Sequence, residues 1–417
     1  MIEQTHASES ERIPTPAPRT GPLRHPRFRW LLAARTTSIL GNAVAPIALA
    51  FAVLDLTGSV ADLGLVVGAR SLATVLVLVF GGVLADRLPR DILLVGTSLA
   101  AAVLQAAVAT LVLTGSAAMP VLLVLSALGG AVAAVSLPAS AAMVPETVPK
   151  GELRSANAVL RLGLNAGSIV GASAGAGIVA LIGPGWGLAV DAAGFLLAAL
   201  LFSRMRLPRG RAGTVGEVRS SVVAELRDGW REFAGRRWVW IVVVQFTVLN
   251  AAFVGATTVL GPVAADESFG RAAWGLVVAA QTAGLALGAV LALRWRPRRA
   301  LGIGVALMAV TALPVATLGV APALPSLLVA FALGGVALEV FAIAWDQSLQ
   351  GHIPPAALSR VYSYDMIGSF AAIPLGETLV GPVAHAVGIT PTLLGCAAVI
   401  VLATVVAAST KAVWRVR

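Results

Sequence analysis

Long apolar runs, each ended by charged or helix-breaking residues, recur along almost the whole chain. A run of about 20 apolar residues forms a helix long enough to cross the roughly 30 Å hydrocarbon layer of a membrane. Twelve such runs can be counted: 30–54, 63–84, 92–113, 119–139, 155–182, 185–202, 239–260, 272–293, 300–318, 325–345, 364–384 and 390–408. The pattern predicts an all-α polytopic membrane protein with twelve transmembrane helices.

The positions of Lys and Arg test this count, because basic residues concentrate in cytoplasmic loops. Basic residues occur in alternate connections, including 87–90, 150–154 and 294–299, and in the last residues of the chain. The intervening connections lack them, except for Arg271, which stands beside Asp266 and Glu267. The alternation predicts that both termini are cytoplasmic.

The longest internal connection divides the twelve spans into six and six, which predicts two six-helix bundles. Within it, residues 218–233 place Val222, Leu226, Trp230 and Phe233 on one face of a helix and charged residues on the other. This pattern predicts an amphipathic helix in the lipid headgroup layer, and a helix that binds a partner protein is the alternative. The expected domains are a disordered cytoplasmic tail (1–27), a first bundle (28–203), a linker (204–237), a second bundle (238–410) and a short cytoplasmic tail (411–417).

Composition narrows the function classes further. The 417 residues are 58% hydrophobic and 12% charged, whereas soluble proteins are about a quarter charged. The net charge of +10 resides in short loops, which favours membrane orientation over binding of nucleic acid. The lone Cys396 cannot form an intrachain disulfide, the four histidines are scattered, and no phosphate-binding glycine loop occurs. We therefore expect no metal, no cofactor and no enzymatic activity.

The connection between the second and third predicted spans reads Gly82-Val83-Leu84-Ala85-Asp86-Arg87-Leu88-Pro89-Arg90. It resembles the loop between the second and third helices of major facilitator superfamily transporters. The resemblance implies that Gly82 permits close helix approach, that Asp86 faces the positive end of a helix dipole, and that Arg87 and Arg90 remain cytoplasmic. Pro89 stands where the family usually has a second glycine, and Asp91 where it has a basic residue. A generic basic turn between two membrane helices is the alternative interpretation.

Several further stretches resemble the macrolide- and siderophore-exporter branch of that superfamily, which includes enterobactin-type exporters. They are residues 143–157, 189–195 and 350–361, followed by 374–376 and 381–382. The resemblance extends over nearly everything from Trp30 onward. It implies a secondary transporter in which two bundles open a central site alternately to each side of the membrane.

The fifth predicted span carries four glycines at four-residue spacing, and this spacing places them on one helix face. They are Gly163, Gly167, Gly171 and Gly175. Small residues at this spacing let another helix approach closely. Exporters of the family often carry a glycine- and proline-containing pattern here, and Ala172 stands where the proline is expected. Simple close packing, without any bearing on transport direction, is the alternative.

Ionisable side chains inside the spans are candidates for function, because each costs a few kcal/mol unless it is paired or hydrated. Five lie near predicted span ends, where they could reach the headgroups or cap a helix: Arg35, Arg161, Asp191, Glu339 and Asp365. Arg70 and Glu377 lie deeper, in spans that the resemblance brings together across the outer half of the central cavity. We expect them to pair as an outer gate or to couple proton movement to transport. A static salt bridge is the alternative.

Uncharged polar and aromatic residues in the spans are candidates for lining a substrate cavity. They are Asn42, Gln105, Gln245, Asn250, Gln281 and Trp345. Asn42 follows Gly41 at a place where several members of the family carry an acidic residue. Such side chains can equally join helices by hydrogen bonds.

Together these observations predict proton-coupled efflux of a hydrophobic or amphipathic small molecule, such as an antibiotic or a siderophore-like metabolite. The expected partners are this substrate, protons and membrane lipids, and the expected setting is the bacterial inner membrane, with the protein acting as a monomer. An importer or facilitator is the alternative within transport, and a non-transporting membrane scaffold or sensor is the alternative from another class.

Overall fold

The computed structural model of the chain describes residues 21–87, 89–141, 143–205, 230–231, 233–295, 297–320 and 322–416. Side chains are described throughout these ranges except at 79–87, 90, 137–139, 141, 150, 154, 293, 355–360 and 363. All regular secondary structure in the described residues is helical.

Twelve helices in the described residues are long and apolar enough to cross a membrane, which confirms the predicted number of spans. They are α1 (Pro26–Thr57), α2 (Val60–Arg87), α3 (Arg90–Leu113), α4 (Met119–Ala141), α5 (Leu153–Ile182), α6 (Pro184–Ser203), α7 (Arg237–Phe269), α8 (Arg271–Arg294), α9 (Ala300–Val320), α10 (Leu324–His352), α11 (Pro355–Phe370 continued by Ile373–Val387) and α12 (Ile389–Ala408).

Two spans differ from the predicted ones in ways that have a local cause. The helix α7 continues to Phe269 instead of ending near Leu260, because π-helical turns at Ala256–Leu260 and Ala265–Phe269 flank Pro262 and carry the chain past it. The helix α11 is divided in two just before Pro374, whose ring cannot be accommodated inside an unbroken helix.

The turns between helices reveal a repeat of the first six helices in the last six. The turns after α1 and α7 contain Gly58 (φ 62°) and Gly270 (φ 92°), and those after α5 and α11 contain Gly183 (φ 94°) and Gly388 (φ 95°). Positive φ values favour glycine, which has no Cβ atom. Glycine turns at corresponding positions support two repeated bundles, α1–α6 and α7–α12. We call the side on which these four turns lie the opposite face, and the side at which α1 begins and α12 ends the termini face.

The predicted glycine face on α5 packs inside the first bundle. Gly163 lies against Thr36, and a Cβ atom at Gly171 would overlap the carbonyl oxygen of Leu40. Gly167 and Gly175 face Thr36 and Val44, respectively, so all four glycines contact α1. The close helix approach at these glycines is between α5 and α1, within one bundle.

Replacing Gly171 with Leu should therefore destabilise the first bundle. Overpacking at a backbone contact typically costs about 1–3 kcal/mol. The matched control is Gly177→Leu on the same helix, where an added Cβ meets nothing within 4 Å. The thermal unfolding midpoint of the purified protein in detergent measures the difference. Equal midpoints for the two variants would contradict the packing argument.

Some predicted features fall wholly or partly outside the described residues. The helix α2 continues to Arg87 and α3 begins at Arg90, so most of the predicted connection is helical, but the side chains of Gly82, Asp86, Arg87 and Arg90 are not described. Most of the predicted linker helix lies in 206–229, which is also outside the described ranges. The domain boundaries and this helix remain predictions.

The end of the linker is described and contacts the second bundle. The rings of Trp230 and Phe233 lie 5.5 and 5.8 Å from that of Tyr364, measured between centroids. The aromatic residues of the predicted amphipathic face are therefore packed against the first segment of α11, Pro355–Phe370.

Candidate functional site

The two bundles meet along a seam that is tightly packed toward the opposite face. On this seam α2 lies against α11, and α5 lies against α8. A Cβ atom at Gly64 would overlap the backbone of Glu377, and one at Gly381 would overlap Ala61. Gly275 on α8 lies equally close to Ala172 on α5. Backbone-to-backbone contact at glycines leaves no passage at this end of the seam.

An ion-pair cluster joins the bundles at the rim of the opposite face. Arg271 at the start of α8 donates two hydrogen bonds to Asp55 on α1, at 2.9 and 2.7 Å. It donates two more to Asp266, at 2.6 and 2.9 Å, and its guanidinium carbon lies 4.6 Å from the centroid of the Phe51 ring. Bidentate guanidinium–carboxylate pairs are among the strongest hydrogen-bonded contacts in proteins. We call this cluster the Arg271 latch.

The Arg271 latch was not identified as a site from the sequence. Arg271 was noted only as the basic residue that breaks the loop alternation. That exception was the available signal, since an arginine on a side that otherwise lacks basic residues needs a nearby acidic partner. Its partner across the seam, Asp55, lies far away in sequence, so only the tertiary structure, which brings the end of α1 to the start of α8, identifies it.

A second cluster of charged residues lies deeper and is formed by side chains of α2, α6 and α11. Asp191 on α6 is 1% exposed and Glu377 on α11 is 2% exposed. Arg70 on α2 is close enough to interact electrostatically with both carboxylates, although it forms no direct ion pair among the described residues. The hydroxyl of Ser71 lies within hydrogen-bonding reach of Glu377. We call Arg70, Asp191 and Glu377 the buried charge cluster.

Two carboxylate oxygens in this cluster have no hydrogen-bond partner among the described residues. They are Oδ1 of Asp191 and Oε2 of Glu377. Buried polar atoms are almost always hydrogen-bonded, and an unpaired buried carboxylate oxygen is costly. The orphan oxygens therefore mark positions at which a proton would be stabilising.

The structure modifies the predictions for these three residues. Arg70 interacts electrostatically with both Glu377 and Asp191, and no direct ion pair between Arg70 and Glu377 is formed in the described part of the chain. The expectation that Asp191 reaches the headgroups or caps a helix is wrong, because its side chain faces α1. Gly187 and Gly194 share this face of α6 and let it approach Ala48 and Gly41.

Three of the other ionisable candidates, Arg161, Glu339 and Asp365, make specific side-chain contacts. Arg161 on α5 and Glu339 on α10 approach to 3.6 Å across the seam, nearer the termini face than the glycine contacts. The Arg161 side chain is 76% exposed, so this pair contributes little to stability. Asp365 accepts hydrogen bonds from Trp345 at 2.9 Å and Ser369 at 3.1 Å, all within the second bundle.

The polar candidates separate into two groups. Asn42 and Gln105 line a cavity of about 160 Å³ inside the first bundle, together with Arg35 and Arg70. The others lie in the second bundle. Gln245 donates hydrogen bonds to Thr404 and Val305, Asn250 donates one to Ser369, and Gln281 lies where α8 meets Gly335 of α10. Gln245, Asn250 and Trp345 thus join helices.

Comparisons with known proteins agree with this architecture. The sequence pattern of the family described as transmembrane secretion effectors matches residues 17–414. The multidrug efflux pump Tap of Mycolicibacterium fortuitum is 29% identical over 404 residues, covering 93% of this chain and 96% of Tap. The enterobactin exporter EntS of Escherichia coli is 28% identical over 371 residues, covering 86% of this chain and 85% of EntS.

Solved transporter structures share the fold at low sequence identity. The nucleoside transporter NupG superimposes with a TM-score of 0.72 at 16% identity, covering 92% of this chain and all (100%) of NupG. A bacterial homologue of the lysosomal transporter Spinster, in an inward-facing and unoccupied conformation, gives a TM-score of 0.66 at 15% identity, covering 92% and 96% of the two chains. With twelve membrane-spanning helices in two bundles, this chain is a multi-pass membrane protein and a transporter, not an enzyme, and it belongs to the transmembrane secretion effector family of the major facilitator superfamily.

Proposed function

We propose that this protein exports a hydrophobic or amphipathic small molecule in exchange for protons, and that it works by alternating access. The observation that carries the proposal is the buried charge cluster, which spans the seam between the bundles. The relatives named as a multidrug efflux pump and an enterobactin exporter support the direction and the kind of substrate.

The charges of the cluster supply the reason for proton binding. One guanidinium and two ionised carboxylates leave one net negative charge in a site that water hardly reaches. Burying an unbalanced charge costs several kcal/mol, and one bound proton removes the imbalance. Because Glu377 belongs to the second bundle and Arg70 and Asp191 to the first, seam opening separates the charges. Protonation and the conformation of the seam are therefore coupled.

Alternating access follows from where the bundles touch. The glycine contacts and the Arg271 latch hold the opposite face closed, whereas the exposed Arg161–Glu339 pair lies toward the termini face. With both termini in the cytoplasm of a bacterial cell, the closed opposite face is the outer side of the membrane. Outward opening then requires α2 to part from α11, α5 from α8, and the latch to break.

Purified protein in liposomes tests the proposal directly. With an imposed pH gradient, a panel of lipophilic antibiotics should include compounds that accumulate against their own gradient, and a protonophore should abolish the accumulation. Liposomes without protein control for passive partition of weak bases. Accumulation that ignores the pH gradient would count against proton exchange.

A further inference from the structure

The cavity inside the first bundle is separate from the seam. Every residue that lines it belongs to α1, α2, α3, α4 or α6. One end of the cavity lies at Leu94 and Ser140. Leu94 is about one turn after the start of α3, and Ser140 is within one turn of the end of α4; both of these helix ends lie at the termini face. It extends inward to Gln105 and Arg70. The cavity therefore connects the region near the termini face with the buried charge cluster without crossing the seam.

The cavity carries positive charge that its described lining does not balance. Arg35 and Arg70 both line it, and none of its described lining residues is acidic. Arg70 interacts with two carboxylates outside the lining, whereas Arg35 forms no hydrogen bond or ion pair among the described residues. A half-buried cation without a partner in a membrane span is costly, unless a ligand or water balances it.

Unused hydrogen-bond donors surround the unpaired guanidinium. The hydroxyls of Ser38, Ser98 and Ser126 line the cavity and form no hydrogen bond among the described residues. Asn42, one helical turn beyond Ser38 on α1, adds an amide without a described partner. Hydroxyl and amide donors beside an arginine are the groups that hydrogen-bond a carboxylate or an inorganic anion.

We propose that this cavity binds a small anionic group at Arg35. The group is either the acid of an amphipathic transported molecule or a free inorganic anion. The volume of about 160 Å³ suits such a group, whereas sites for whole drug-sized ligands measure about 300–1,000 Å³. A hydronium ion is disfavoured here, because an unpaired guanidinium repels it. If the anionic group is the acid of a transported molecule, the inference deepens the proposed function and rests on it.

Binding to the purified full-length protein in detergent tests this site without any gradient. The probes are benzoate and benzamide, which have nearly the same size and differ in charge, in a buffer whose bulky anion is gluconate. The affinity for benzoate should be at least about tenfold higher than the affinity for benzamide. Arg35→Gln should lower the affinity for benzoate by at least about tenfold, because charge-assisted hydrogen bonds are lost. Arg35→Lys should retain part of the affinity. The control is Arg29→Gln, an exposed position on the same helix outside this cavity.

Further measurements separate the two sources of the anion. If an acidic transported compound competes with benzoate, and this competition is lost in Arg35→Gln, the site binds the acid of the substrate. Bromide located at Arg35 by anomalous scattering, without benzoate binding, assigns it to an inorganic anion. If Arg35→Gln does not fold, Ser98→Leu is the replacement variant. Its larger side chain fills the cavity and should weaken the binding of benzoate or bromide. Failure of both benzoate and bromide to bind, or binding unaffected by these variants, overturns the proposal. The binding measurements use no pH gradient, so they would give the same result even if the protein did not exchange protons.

Discussion

Replacing Glu377 with Gln is expected to abolish gradient-driven transport and to leave substrate-for-substrate exchange intact. Gln keeps the size and a hydrogen-bond acceptor for Ser71, but it cannot carry the exchanged proton. Removal of a proton-transferring group commonly lowers a rate by about 10²–10⁴-fold. We expect a reduction of about 100-fold in accumulation driven by a pH gradient, with little change in exchange, since exchange needs no net proton movement.

The measurement compares the two modes in proteoliposomes that contain equal amounts of protein. The matched control is Asp365→Asn, the same chemical change on the same span, at a carboxylate bonded to Trp345 and Ser369 within the second bundle. It should retain gradient-driven transport. Unchanged gradient-driven accumulation in Glu377→Gln would remove the coupling role of Glu377. Loss of both modes would instead indicate a substrate-binding or structural role.

The second large effect concerns the Arg271 latch. Arg271→Gln should shift the protein toward conformations open at the opposite face. The side chains of Arg271, Asp55 and Asp266 are 25%, 42% and 40% exposed, so solvent screens part of the interaction. After this discount we expect Arg271→Gln to change the free-energy difference between the closed and open conformations by about 1–2 kcal/mol. This corresponds to a change of about 5- to 30-fold in the ratio of the two conformations.

Spin labels on the two sides of the seam can measure this shift. Leu56 and Val387 lie near the opposite face, are 41% and 57% exposed, and can be labelled as cysteines in a Cys396→Ser background. Their distance distribution should gain a longer component in Arg271→Gln. Glu267→Gln, at an exposed acidic residue that makes no described contact with Arg271, should leave the distribution unchanged.

A double-mutant cycle gives the latch an additional test. If Asp55 acts through Arg271, then combining Asp55→Asn with Arg271→Gln should shift the distances by less than the sum of the single effects. An unaltered distribution in Arg271→Gln, or fully additive single effects, would contradict a latch across the seam.

The sequence by itself determined the number of spans and the fold class, and it predicted Arg70 and Glu377 as the deepest ionisable candidates. Span number follows from apolar run length, because unsatisfied backbone groups are excluded from hydrocarbon. The predicted fourth span, 119–139, corresponds to the helix Met119–Ala141 for this reason. Depth within a span likewise follows from counting residues, since each adds about 1.5 Å along a helix. This counting distinguished Arg70 and Glu377 from charges nearer the span ends.

Only the tertiary structure decided which of these charges meet. The rotation of each helix about its axis and its choice of neighbours depend on packing between segments far apart in sequence. That packing turned Asp191 into the interior of the first bundle, brought Asp55 to Arg271, and left Arg35 in a cavity without a described partner. Local sequence sets how deep a side chain lies in the membrane, whereas contacts between helices set what it faces.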